Sequence, residues 1–563
     1  MSVAARARAA FAARFAVDRR ALAALRVALA TVVLVDLALR LQDVRAFYTD
    51  AGVLPRPLLL ETYPTLGRLS VHTLSGGLWW QLVLFAATAT AAVALAAGYR
   101  TRLATAVTLL LVVSLQLRNP VILNAGDSLL RRLLLWSVLL PLGARWSVDA
   151  RRRDSTESRY RDDAGAGPPD TARDRLLSVA GVGLLVQVLA VYVVNALLKA
   201  RGSAWHDGVA GRLAFGMDAL TVLFGDFLAG SPALLTLGTY AWLALLAASP
   251  LLVLATGRAR TAVVAALAAG HVGMALTLRL GAFPLVSIAS LVPFLPPVVW
   301  DRVERVVDER FANRVDAFVE RIPATAVAGR RLPSLPSSRD LPASLRRVGG
   351  ASARTVAVVL LAFVLVWNAA SLGLLALPAD VTSTVDPEER RWDMFAPEPR
   401  STGGWYVTVG TTTSGERVNA FAGTSAHADT GAYADVDAYA GVNAYAGSDA
   451  FAGGDATTPP PDVDGKYPSH RWYVYLTALR DAPAPALRDR FGAYLCERWN
   501  SREDSTLASV NVTFVARTVQ LDAPDRIEVQ PFGTTDCAPA AKTATVANGT
   551  TSAPTAGSVS RAT

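Results

Sequence analysis

The chain has 563 residues, 52% of them hydrophobic and only 18% charged, with a mean hydropathy of +0.33. That is too apolar for an ordinary soluble enzyme, in which about a quarter of residues are charged. The net charge is +9, but the arginines sit in short loops between apolar blocks and build no separate basic domain, which argues against nucleic acid and for a membrane protein.

From the start, residues 1–20 form a basic stretch with Arg6, Arg8, Arg14, Arg19 and Arg20, read as a cytoplasmic N-terminus and not as a cleaved leader. Apolar runs near the length that crosses a bilayer follow at 21–41, 78–97, 103–117, 121–142, 176–199, 232–256, 261–280, 283–300 and 354–377. The segment 213–228 is too short and polar to cross and reads as a re-entrant or interfacial helix. Every loop that this count places inside is basic: Arg100 and Arg102; Arg151, Arg152 and Arg153; Arg258 and Arg260; and an Arg-rich loop at 301–353. The expected architecture is therefore an all-α polytopic membrane helical bundle of about nine transmembrane helices in the cell membrane, with residues 21–300 as the main membrane domain. Residues 354–377 are the last helix, and 378–563 lie outside.

The exterior part is expected to be a small α+β C-terminal domain. It has an alternating segment around Trp405 to Gly410, the run RWYVYLTAL at 471–479, an amphipathic helix near 487–499 and a strand-like SVNVTFVARTV. A low-complexity repeat, 421–454, with units such as AYADVD and AYAGVN, splits it and reads as an expanded linker. Cys496 and Cys537 are the only cysteines, and either a disulfide or two free thiols fits an exterior domain. Asn511 and Asn548 stand in glycosylation sequons, a short motif that chance readily produces.

Polar groups inside apolar segments are costly and point to a site or a structural pairing. Tyr192, Asn195 and Lys199 are spaced i, i+3, i+7 on one helix face. Lys199 either snorkels to the outer surface or, desolvated, loses its proton and acts as a base. Asn124, Asp127 and Arg131 repeat that spacing, with an Asp127–Arg131 i, i+4 pair expected. His271 lies near the bilayer middle, flanked by Gly270 and Gly273, which permit close helix approach. Asp36 and Arg40 form another i, i+4 pair, read as structural. No second His or Cys stands at metal-ligand spacing, so no metal is expected.

Seven segments, in order, resemble the vitamin K-dependent γ-carboxylase-like HTTM (horizontally transferred transmembrane) family. They are FYTDAGVLP (47–55), RNPVILNAGDSLLR (118–131), LPLGARWSVD (140–149), VYVVNALLKARGSAWHDG (191–208), HVGMALTLRLGAF (271–283), WDMFAPEPRSTGGWYV (392–407) and RFGAYLCERWN (490–500). The resemblance implies a reduced quinone, vitamin K-like, or another isoprenoid lipid as cofactor, with Lys199 as catalytic base and His271 at the matching histidine. Asn124, Asp127, Arg131, Tyr192 and Asn195 would line the pocket. Two departures stand against transferring glutamate carboxylation: Lys199 is followed by Ala200 where the carboxylase has adjacent lysines, and the exterior domain is much shorter. The competing reading is a non-enzymatic membrane anchor or envelope component whose intramembrane polar groups only hold helices together.

Overall fold

The computed structural model describes residues 2–152, 174–217, 219–307, 309, 343–382, 386–388, 392–421, 467–481 and 485–537. The repeat at 421–454 beyond its first residue, most of the Arg-rich loop 301–353, Arg153 and Asn548 lie outside these.

The described chain is mostly helical. Helix α1 (Val3–Phe15) is followed by α2 (Arg19–Leu41), α3 (Leu78–Ala97), α4 (Thr101–Arg118), α5 (Ala125–Val138) and α6 (Val179–Lys199). Then come α7 (Pro232–Ala247), α8 (Gly257–Thr277), α9 (Phe283–Phe294), α10 (Pro297–Val307) and α11 (Ala343–Ser371). Six helices are long and apolar enough to cross a membrane: α2, α3, α4, α6, α8 and the 351–371 part of α11. The bent pair α9 and α10 would add a seventh, short of the nine expected from composition. The difference is one of length. α5 has 14 residues and α7 has 16, so at about 1.5 Å per residue both fall below a hydrocarbon core of roughly 30 Å. α9 turns into α10 through 105°.

Helix termini follow from local chemistry. The Asp18 side chain caps α2 by accepting from the Arg20 amide, and Ser178 caps α6 through the Gly181 amide. Gly98, at φ 67°, lets α3 end and reverse into α4 within a few residues; a β-carbon there would meet the Arg26 guanidinium at 2.3 Å. Asn124 and Asp127 form a reciprocal capping box at the start of α5.

The two ends of the bundle are distinct. At one, Asp149 accepts from the Arg100 and Thr101 amides (3.0 and 2.8 Å), buried Arg26 donates to the carbonyl of Trp146 (2.5 Å), and Val17–Asp18 pair with Arg175–Leu176. At the other, residues 213–228 form no single interfacial helix: between the short helices Ala210–Phe215 and Gly225–Ala229 the described residues form turns and a single bridge from Thr221 to Leu278.

That second end carries an α+β unit. Strands β1 (Thr402–Thr412), β2 (Arg417–Asn419), β3 (Leu507–Thr518) and β4 (Arg526–Asp536) form an antiparallel sheet in the order β2-β1-β3-β4. The run RWYVYLTAL is not extended but lies in helix α12 (His470–Asp481), followed by α13 (Pro485–Asn500). An aromatic core joins sheet to helices: Tyr406 lies 5.0 Å from Phe514, 5.3 Å from Phe532 and 6.2 Å from Phe491, and its hydroxyl donates to the Leu476 carbonyl. Cys496 and Cys537 are disulfide-bonded, tying α13 to the segment after β4.

Candidate functional site

Two polar constellations stand where the helices meet the C-terminal unit. The first is a partly open cavity of about 880 Å³ with mostly apolar walls, among them Val188, Leu245, Met274 and Phe283. Five of the seven expected site residues line it: Asn124, Tyr192, Asn195, Lys199 and His271. The i, i+3, i+7 spacing on α6 does put Tyr192, Asn195 and Lys199 on one face, and that face looks into the cavity.

Lys199 does not snorkel; it is 2% exposed. Its ammonium nitrogen donates to the carbonyls of Met394 (2.6 Å) and Phe395 (3.0 Å) and sits 3.9 Å from the centre of the Trp205 ring. Among the described residues it forms no ion pair. Asn195 donates to the carbonyls of Trp392 (3.1 Å) and Met394 (3.2 Å), and the Trp205 indole donates to Phe395 O (3.0 Å). Residues 392–397, which follow the last long helix, are thus strapped over the cavity by their own backbone, while Arg132 stacks 4.6 Å from the Trp392 ring. Gly202 is required under this strap, because a β-carbon there would lie 1.9 Å from the Pro397 carbonyl oxygen.

His271 is held in the opposite wall. Its Nε2 hydrogen-bonds the Tyr192 hydroxyl (3.1 Å), while Trp242 and Phe283 present ring edges at 5.5 and 5.7 Å. Its Nδ1 is buried and has no hydrogen-bond partner among the described residues. Of the two flanking glycines only Gly270 serves close approach, its missing side chain leaving room for Trp242; Gly273 faces open space.

The second constellation is ionic. Arg40 donates through Nε to Asp36 (2.6 Å), through Nη1 to the Tyr48 hydroxyl (2.5 Å) and through Nη2 to Asp127. Arg471, from α12, donates to both oxygens of Asp127 (2.5 and 2.9 Å), to Asp36 (2.9 Å) and to the Ile122 carbonyl (2.7 Å). Two carboxylates and two guanidiniums form a closed, neutral and buried square, in which each charge is paired twice. The Asp36–Arg40 pair is as expected. The Asp127–Arg131 pair is not: Arg131 bonds Gln116 instead, and neither Asp127 nor Arg131 lines the cavity. The cause is competition, since both Asp127 oxygens are already engaged by guanidiniums buried more completely than that of Arg131.

Arg471 is one of four consecutive residues that plug α12 into the helical bundle. Ser469 donates to Asp43 (2.5 Å) and the Trp472 indole donates to the same carboxylate (3.0 Å). His470 donates from Nδ1 to the Arg279 carbonyl (2.8 Å) and accepts at Nε2 from the Asn124 amide (2.7 Å), a neutral tautomer fixed at both nitrogens. Burial, together with the neighbouring Arg471 charge, pulls the His470 pKa down from its ordinary 6.5 to about 4. None of these four residues stands out in the sequence. The segment 392–407 entered the sequence reading only through a resemblance to an exterior tail; that it straps the cavity rests on carbonyl oxygens, which side chains do not reveal.

Compared with protein-family models, characterised proteins and solved structures, the chain matches none. Among the described residues no three His, Cys, Asp or Glu side chains come together to hold a metal ion.

Proposed function

We propose that the chain is an integral membrane protein of the γ-carboxylase-like HTTM family whose cavity binds an isoprenoid lipid with a hydroxylated head, a reduced quinone being the best fit. The observation that carries this reading is the placement of Lys199: a buried amine that forms no ion pair among the described residues, with Asp393 as the carboxylate whose charge reaches it, on the wall of a large apolar cavity. An apolar volume of this kind suits a prenyl chain, and a few convergent polar groups suit the head. In this reading the neutral Lys199 amine takes the proton of the quinol hydroxyl, leaving a quinolate. The ammonium so formed is held by the Met394 and Phe395 carbonyls and the Trp205 face. The Nδ1 of His271 offers the head a further hydrogen bond. Asp127 and Arg131 are released from the pocket to structural roles.

The same reading takes α5, α7 and α9 as short crossings, which restores nine passages. It also places the Arg-rich end in the cytoplasm and the C-terminal unit outside the cell membrane; the basic loops support that orientation. Lipids that co-purify with the protein test it first: mass spectrometry is expected to find a quinone in near-stoichiometric amount. Lys199→Ala is then expected to abolish oxygen-dependent turnover of the reduced quinone, and unchanged turnover defeats the catalytic claim.

A non-enzymatic anchor is the second reading. The closed ionic square and the saturated bonding of Lys199 favour it, since both serve to fasten the C-terminal unit to the helices. It predicts that Lys199→Ala lowers stability and changes neither bound lipid nor any redox reaction.

A further inference from the structure

The end of the bundle away from the C-terminal unit carries two helices set apart from the long ones. α1 packs against α6 and the short helix Leu251–Leu254, and its last carbonyls are taken up by arginines. Arg175 donates to Ala12, Ala13 and Ala16 (3.2, 3.1 and 3.3 Å), and Arg260 donates to Arg14 O (2.9 Å). α10 leaves α9 at 105° and is pinned to the same end by Arg20, whose Nη1 lies 2.8 Å from both Asp301 and Glu304.

Both helices present apolar side chains outward next to arginines. On α1, Val3 is 80% and Phe11 47% exposed, with Arg8 beside them and no acidic residue in the helix. On α10, Val303, Val306 and Val307 are exposed among Arg302 and Arg305, but Asp301 and Glu304 share the single charge of Arg20 and exposed Glu309 follows, so this helix carries no positive excess. Arg258, at the start of α8, adds exposed positive charge at this end. On α1, exposed apolar groups flanked by arginines with no acid in the helix match the requirements of an interfacial helix on a negatively charged bilayer surface.

We infer that α1, with Arg258 at the same end, forms a docking face for anionic phospholipid headgroups, the apolar side chains of α1 dipping into the leaflet. The charge on α1 sets the sign of that face: it carries arginines and no acidic residue, whereas on α10 Arg302 and Arg305 are offset by Asp301, Glu304 and Glu309, and the one charge of Arg20 is already shared with Asp18. A soluble protein partner would not require the apolar and basic groups to lie beside the ends of membrane-crossing helices.

The test is lipid selectivity in bilayers of phosphatidylcholine with a minority of phosphatidylglycerol. The full chain is reconstituted, and spin-labelled phosphatidylglycerol and phosphatidylcholine are compared for the fraction immobilised by the protein. The wild type is expected to select phosphatidylglycerol several-fold, with selectivity falling as salt is raised. Each arginine near such a surface contributes up to roughly fivefold. The variant carrying Arg6→Gln, Arg8→Gln, Arg14→Gln and Arg258→Gln is expected to bind both lipids alike, whereas Arg526→Gln, on the sheet at the other end, retains full selectivity. No selectivity in the wild type, or selectivity equal in wild type and the fourfold variant, overturns the inference. The latter result would assign any acidic lipid to another place, the cavity included.

Discussion

Replacing Arg471 by leucine removes one corner of the buried square and leaves Asp36 and Asp127 sharing the single charge of Arg40. The structure allows the size of the effect to be worked out. Arg471 supplies three charge-assisted bonds to the two carboxylates and one to the Ile122 carbonyl, all shielded from water. Breaking a buried pair from one side costs about 3–5 kcal/mol, because the charge left behind is uncompensated. Since Arg471 comes from α12 and its partners from α2 and α5, that free energy falls on the docking of the C-terminal unit. It corresponds to a shift of roughly 150- to 4,000-fold toward the undocked state. Amide hydrogen exchange in detergent reads this directly: protection across 472–479 is expected to drop by that factor in Arg471→Leu, and by less in Arg471→Lys, which keeps charge but loses the fork. Adding Asp127→Asn to Arg471→Leu restores neutrality and is expected to recover part of the loss. Unchanged protection in Arg471→Leu would show that the square does not hold the unit in place.

Three further outcomes are expected. Gly202→Ala forces the strap off the cavity, since its β-carbon would stand 1.9 Å from Pro397 O, and proteolysis at 392–400 is expected to accelerate while α12 remains protected. The disulfide closes a separation of 41 residues, so Cys496→Ser with Cys537→Ser is expected to destabilise the C-terminal unit by roughly 2–4 kcal/mol, seen as a lower denaturation midpoint by tryptophan fluorescence. His470 is neutral when docked and binds a proton more readily when released, its pKa rising from about 4 to the ordinary 6.5. Its contribution is therefore complete above pH 6.5 and is lost as pH falls toward 4. The slope reaches at most about 1.4 kcal/mol per pH unit, and His470→Gln is expected to flatten that limb of the stability curve.

The membrane-embedded half was largely readable from its residues. Apolar runs gave the helices, and the i, i+4 rule gave Asp36–Arg40, because both partners belong to one helix. The face of α6 that lines the cavity followed from spacing alone. What escaped was long-range. Arg471 meets Asp127 across 344 positions, and no local pattern signals that encounter. RWYVYLTAL has the aromatic and β-branched composition of a strand, yet it is helical because one side of α12 must bury Trp472, Tyr475, Leu476 and Leu479 together. The carbonyls that receive Lys199 are backbone atoms, on which side-chain identity is silent.

The square also dictates an order of assembly. A chain emerging from the ribosome delivers α2 and α5 to the bilayer hundreds of residues before α12 is synthesised. Until then Asp36, Asp127 and Arg40 wait with one negative charge in excess, at the end of the bundle that α12 later covers. Nascent chains stalled or truncated before residue 471 would carry that unneutralised charge as a mark of incompleteness, distinguishing unfinished molecules from finished ones before any activity is required of them.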